Sequence, residues 1–271
     1  GLDHTAILGD TVDKIAYEKC GIIKPGAAVV SYAHQPQAAQ EVIRKVCGQQ
    51  GCRLLECDPA SLTVQSCELS GSRFSYRGET YALRLCGRYQ IQNAVTALNI
   101  LFQLQSQGFA IRQEDIGEGL LHTFWPGRFE TILQKPLLIA DGSHNIDGIR
   151  AFVQTVKECL SGRSVICVFG MLSTKDYKAA LAEVAEIADV LIATQVLHPH
   201  AVPAETLAAE ARALLPSVYC CPQIGAAVQK AVSLCGDDSV IFAVGSLYMT
   251  GDIRREASGM AGVKLESYFT Y

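Results

Sequence analysis

From position 137 onward the chain alternates short apolar runs with helix-period runs, and this constrains the fold more than any other feature. "LLIAD" is followed by a helical stretch from about Asp147 to Leu160, and "SVICVFG" by "KDYKAALAEVAEIA". "DVLIATQ" leads to a helix beginning near Pro203, "SVYCC" to "IGAAVQKAVSLC", and "SVIFAVGS" comes last. The strand runs are continuously apolar, as in strands covered on both faces. Separated by helices, they predict a parallel sheet in a doubly wound α/β domain.

Positions 1 to about 125 follow a different pattern. Helical periods occur at 10–20, 35–50, 90–107 and 112–122. Between them "RLLEC", "SLTVQSCEL", "SRFSYRG" and "TYALRLCG" read as strands with hairpins. "HTFWPGRFE" carries turn chemistry and the single Trp at the change of pattern, which places a domain boundary there. The expected division is 1–127, 128–256 and a poorly ordered tail, 257–271. The first segment has too few buried strands for a complete α/β domain, so it reads as the later part of one.

Composition removes several classes. With 49% hydrophobic and 18% charged residues, the chain can bury a core and is not disordered. A net charge of -4 gives no basic footprint for nucleic acid. No apolar run reaches the length of a membrane span, and no signal-peptide pattern opens the chain, so no membrane partner and a cytoplasmic location are expected. The 11 Cys lack C-x-x-C spacing, which favours reduced, mostly buried thiols over a zinc site or disulfide framework.

Five places could carry chemistry. Asp10 and Asp13 approximate a capping pair, and Val12, Ile15, Ala16 and Lys19 follow the i, i+3, i+4, i+7 rule. Lys19 is therefore expected on the apolar face of a short helix that stops at Gly21. There it either runs its stem along the core edge or, with a depressed pKa, reacts with carbon dioxide to become an anionic carbamate suited to Mg2+. His4 is either an exposed loop residue or a metal or phosphate contact. In "IADGSHNIDG", Asp141, Ser143, His144 and Asn145 fall at a strand's carboxyl end before a helix, where open α/β sheets bind ligands and helix N-termini favour anions. Capping by Ser143 or Asn145 is the plainer alternative. "VFGMLSTKD" puts Gly170, Thr174, Lys175 and Asp176 at a second strand end, and "VGSLYMTGD" puts Gly245, Ser246 and Tyr248 at a third. Three polar strand ends in one sheet suggest a cleft. Neither G-x-x-x-x-G-K-[ST] nor G-x-G-x-x-G occurs in the 271 residues.

"GLDHTAILGDTVDKIAYEKCGIIKPG", "LCGRYQIQNAVTAL", "WPGRFE", "DGSHNIDG", "VFGMLSTKDY" and "GSLYMTGDIR" occur in the order found in folylpolyglutamate and dihydrofolate synthases. The chain resembles these members of the Mur ligase superfamily over roughly positions 1 to 255. The resemblance implies the rest of a central ATPase domain followed by a Rossmann-like C-terminal domain. It also implies an ATP-dependent amide ligase, in which a folate carboxylate becomes an acyl phosphate that the amino group of L-glutamate attacks. The implied small-molecule partners are ATP, L-glutamate, and a folate or dihydropteroate. The implied ions are Mg2+ with a monovalent cation as a further candidate, and the full-length protein is expected to be a monomer.

By position, His4 resembles the family's magnesium ligand and Lys19 its carbamylated Lys. Asn93 resembles its adenine contact, and Arg128 an Arg that reaches ATP phosphate. Asp141 and His144 resemble the pair near phosphate and glutamate, and Ser246 a Ser near the incoming glutamate. Thr174 stands where many members have Asp, and Tyr89 where His is common. The family's phosphate loop and a magnesium-binding Glu would lie before residue 1. The chain is thus expected to be a fragment inactive alone, binding MgATP poorly. Two alternatives remain: a non-catalytic remnant serving as a binding module, and a Mur-type ligase acting on another carboxylate.

Overall fold

Val12, Ile15 and Ala16 share one face of the first helix, α1 (Val12–Lys19), which passes into a 3-10 turn, Cys20–Ile22. The computed structural model describes Gly9 and residues 11–261, which divide into two units between Thr123 and Phe124. His4 and Asp10 lie outside the described residues.

In the first unit, β1 (Ala28–Ser31) is joined through α2 (Gln37–Gln49) to β2 (Arg53–Glu56), and the two strands pair in parallel, Ser31 opposite Glu56. The strands β3 (Leu62–Glu68), β4 (Gly71–Tyr76) and β5 (Glu79–Leu83) form an antiparallel three-stranded sheet. Helices α3 (Arg88–Ser106) and α4 (Gln113–Leu121) follow. Phe74, Tyr76, Ile91 and Leu98 fill the core between sheet and helices. Asn99 is tolerated there because its amide is satisfied: Nδ2 donates to Val95 O at 2.8 Å and to Tyr76 OH at 2.9 Å. The four helices and the strands β2 to β5 lie where the periodicity puts them. β1 was not legible, because four residues after a Pro-Gly pair show no period.

The second unit runs β6 (Glu130–Gln134), β7 (Leu137–Asp141), α5 (Ile146–Cys159), β8 (Ser164–Phe169) and α6 (Tyr177–Ala185). It continues β9 (Val190–Ala193), α7 (Ala204–Ala211), β10 (Val218–Cys220), α8 (Ile224–Leu234), β11 (Ser239–Val244) and α9 (Leu247–Ala261). The strand order is β10-β9-β8-β11-β7-β6. β7 to β11 are parallel, as expected, but β6 pairs antiparallel with β7 and corrects the all-parallel reading. β6 escaped notice because it is an edge strand that alternates burial, Glu130 and Ile132 inward, rather than reading as a continuous apolar run.

The parallel strands bury both faces. On one, Ile166, Val168, Ile241 and Ala243 pack with Val228 and Ala231 of α8 and Ile253 of α9. On the other, the Phe242 ring meets Phe129 at 5.7 Å and Phe152 of α5 at 5.2 Å. A slip of one residue in β11 would exchange these two sets, so the register is strongly specified. None of the eleven cysteines forms a disulfide. Five are buried and six are intermediate, so "mostly buried" overstated it. Complete burial in β8 pushes the Cys167 thiol up to about 12, which leaves it a packing residue. α9 continues through Ala261, so the first residues of the expected tail are helical. No helix among the described residues is long and apolar enough to cross a membrane.

Candidate functional site

The strand order puts β8 and β11 side by side while their following helices leave in opposite directions. α6 packs with α5 and α7, and α9 packs with α8 on the other face. The gap beyond the carboxyl ends of β8 and β11 is the topological switch point, where open α/β sheets bind ligands. Since β7 is the next strand, the three polar strand ends seen in the sequence are neighbours.

Gly245 follows β11 with φ at +117°, and a Cβ there would overlap the carbonyl oxygen of Gly170, the residue after β8. Backbone against backbone cannot yield, so only glycine fits. Gly245→Ala is expected to destabilise the second unit by about 3 kcal/mol or more, from backbone strain plus overpacking. Urea unfolding would measure it, and a loss under about 1 kcal/mol would contradict the close approach.

The "WPGRFE" segment is fixed on every side of Arg128. Gly127 N donates to Glu130 Oε2 at 2.8 Å, and Gly127 O accepts from Gly142 N at 2.7 Å. Arg128 N donates to Trp125 O at 3.2 Å, and Phe129 N to Asp141 Oδ2 at 2.8 Å. Glu130 is buried and also paired with Arg254 of α9. Phe129 holds a left-handed φ of 47°, uncommon for a bulky residue and sustained only where the surroundings over-determine it. The Arg128 guanidinium sits over Gly142, where an added Cβ would lie 3.2 Å from Nη1. Among the described residues it has no carboxylate partner. A half-buried, unneutralised cation on so rigid a loop is suited to an anion.

Asp141 is 1% exposed at the end of β7, and both its oxygens are occupied. Oδ2 accepts from Phe129 N and Oδ1 from Ser143 N, each at 2.8 Å. It therefore acts as a clamp joining the Arg128 loop to the loop that carries His144. His144 Nδ1 lies 2.9 Å from Gly142 O. A carbonyl oxygen only accepts, so Nδ1 carries the proton and Nε2 of the neutral ring is left as an acceptor. Asn145 is the residue that caps α5, accepting from Gly148 N at 2.8 Å. Ser246 is buried and immediately precedes α9, its Oγ accepting from Tyr248 N at 3.3 Å. Gly245 N donates to Ser143 O at 3.1 Å, which ties this turn to the His144 loop. Asp176 caps α6, accepting from Ala179 N at 3.1 Å, and Thr174 is exposed.

Arg128, Asp141, His144 and Ser246 thus come together in the second unit. Glu130, which holds the Arg128 loop, was missed; a carboxylate two residues after the Arg in a Pro-Gly turn was the available signal.

In the first unit Lys19 shares the helix face of Val12, Ile15 and Ala16, but that face lines an open cavity of about 360 Å³ and Lys19 is exposed. Lys19 is on the expected face, but of its two readings the one that buries the amine is corrected: the stripe continues, and nothing among the described residues covers its end. Ser31, Tyr32 and Thr96 also line the cavity. Asn93 lies one turn before Thr96 on α3; it is exposed, and its Nδ2 donates to Gln90 Oε1 at 3.2 Å. Among the described residues the cavity wall contains no carboxylate and no imidazole. An ammonium repels a divalent cation, so the described residues by themselves do not form a magnesium site.

Residues 127–247, which lie in the second unit, match the family described as the Mur ligase, glutamate ligase domain. The chain is 29% identical over 262 residues to a dihydrofolate synthase/folylpolyglutamate synthase of Bacillus subtilis, covering 94% of this chain and 60% of that protein. It superimposes on the Mycobacterium tuberculosis folylpolyglutamate synthase complexed with ADP with a TM-score of 0.83 at 25% identity, covering 95% of this chain and 61% of the other. It also matches the bifunctional Yersinia pestis synthase with Mn, AMPPNP and L-glutamate bound, with a TM-score of 0.74 at 26% identity, covering 97% of this chain and 59% of the other. The chain is similar to these synthases and spans about 60% of the length of each.

Proposed function

We propose that this chain supplies the glutamate-ligase domain and the adjoining part of the ATPase domain of an ATP-dependent amide ligase that adds L-glutamate to a folate, a dihydropteroate or both. The observation that carries the reading is the Arg128 loop, clamped by buried Asp141, whose other carboxylate oxygen holds the loop that carries His144. The relatives whose names include ADP, AMPPNP, Mn and L-glutamate support ATP, a divalent metal and glutamate as ligands.

The reaction joins an amine to an activated carboxylate. The amine lone pair attacks the acyl carbon, the C–N bond forms, the C–O bond to phosphate breaks, and the amine gives up a proton. Arg128 is placed to bind the leaving phosphate, and His144 Nε2 to accept the amine proton. Asp141 positions both residues without touching substrate. Ser246 offers a hydroxyl hydrogen to the incoming glutamate while its oxygen caps α9. Lys19 as a carbamate, together with His4, would hold magnesium. This assignment rests on the family resemblance, since the described donor set is incomplete.

The test is incorporation of labelled L-glutamate into tetrahydrofolate and into dihydropteroate. It compares the chain alone with a chimera in which the chain replaces the matched region of the Bacillus relative. The chain alone is expected to be inactive, and the chimera active in an ATP-dependent way. A folded, ATP-binding chimera with no glutamylation would defeat the reading.

A further inference from the structure

The loop after β9 brings two imidazoles to the same edge of the sheet, and no step above uses them. The His198 ring lies on the Tyr248 ring with centroids 4.7 Å apart, and the His200 ring is 5.6 Å from His198. Tyr248 is in the first turn of α9, and its backbone N donates to Ser246 Oγ, so the cluster is continuous with the switch-point site. The loop is anchored to the neighbouring strand end: Ser173 N and Oγ both donate to His200 O, at 2.8 and 3.0 Å. An isolated bridge between Leu172 and Ala201 ties the same two loops.

The protonation pattern is set locally. His200 N donates to His198 Nδ1 at 3.1 Å, so Nδ1 is the acceptor and the ring proton of neutral His198 is on Nε2. His198 is therefore held as a donor, half-buried, and among the described residues no acceptor meets its Nε2. His200 is exposed beside it, and the ring contact with His198 is the only side-chain partner it has among the described residues. Two adjacent imidazoles, one fixed as a donor at Nε2 and both in contact with solvent, suit a carboxylate better than a neutral amide, which offers a single weaker acceptor.

We propose that His198 and His200, supported by Tyr248, bind the side-chain carboxylate of the incoming amino acid and so select L-glutamate over L-glutamine. This deepens the ligase reading and rests on it. The amino group must meet the acyl carbon near Arg128 and His144, and the α-carboxylate travels with it towards Ser246. The side-chain carboxylate is the group free to reach the adjoining wall, which the first turn of α9 connects to Ser246.

The test is histidine-ring NMR on the 271-residue chain, whose six histidines can be assigned by substitution, titrated with L-glutamate and L-glutamine. Resonances of His198 and His200 are expected to shift with glutamate, with apparent affinity for glutamine about 10-fold weaker. His198→Gln with His200→Gln is expected to remove that preference while leaving the His144 resonance responsive. If glutamate moves His144 but neither His198 nor His200, the subsite is wrong and the ligase reading stands. Equal responses to glutamate and glutamine, or no response at any imidazole, also overturn the subsite. The chimera assay judges the ligase reading separately.

Discussion

Asp141→Asn is expected to lower glutamylation by the active chimera about 100-fold, because positioning errors near 1 Å at a reacting centre cost about that much. The native carboxylate accepts from two backbone N–H groups on different loops, Phe129 and Ser143. Asparagine keeps the shape but has one acceptor oxygen, and its NH2 would face one of those donors. One buried N–H then loses its partner, at a cost of about 1–3 kcal/mol, and the Arg128 loop or the His144 loop shifts. Labelled-glutamate turnover read alongside urea unfolding separates the two effects. Near-parental turnover would mean that Arg128 and His144 hold their positions without the clamp.

Lys19→Ala is expected to reduce turnover of the same chimera by about 100-fold or more, the range seen when a group stabilising developing charge is removed. Stability should change by about 0.5 kcal/mol or less, because Lys19 is exposed at the end of α1. Ile15→Ala on the same helix, where Ile15 is 5% exposed, should instead cost about 2–5 kcal/mol. Lys19→Arg should be as inactive as Lys19→Ala, since guanidinium stays charged and does not take up carbon dioxide at neutral pH. Short-chain carboxylates should restore part of the activity if the working form is a carbamate. Parental turnover in Lys19→Ala would leave Lys19 as an ordinary cation at a helix end.

Most of the secondary structure was legible, because it follows from local period. The Ile149, Phe152, Val153 and Val156 stripe of α5 and the continuous apolar runs of β8 and β11 each state their own burial. β6 and β1 were not legible. One is an edge strand that buries alternate residues, and the other is too short to show a period. Lys19 shows a further limit: its helix period correctly placed it on the apolar face, but period says nothing about whether that face is covered.

The sequence by itself determined that the second unit is doubly wound, and that Asp141, His144, Gly245 and Ser246 stand at carboxyl ends of strands, since strand direction and chain position are local properties. Arg128 and Asn93 were candidates only through the family resemblance of ordered motifs. Only the tertiary structure decided that β8, β11 and β7 are neighbours, which turns three separate loops into one crevice. It alone showed Asp141 as a clamp between two loops, Glu130 as a support for the Arg128 loop, and His198 stacked on Tyr248. The physical reason is separation along the chain. A helix cap or an apolar stripe is set by residues a few positions apart, whereas Glu130 and Arg254, or His198 and Tyr248, meet because a sheet order fixed by packing brings their elements together.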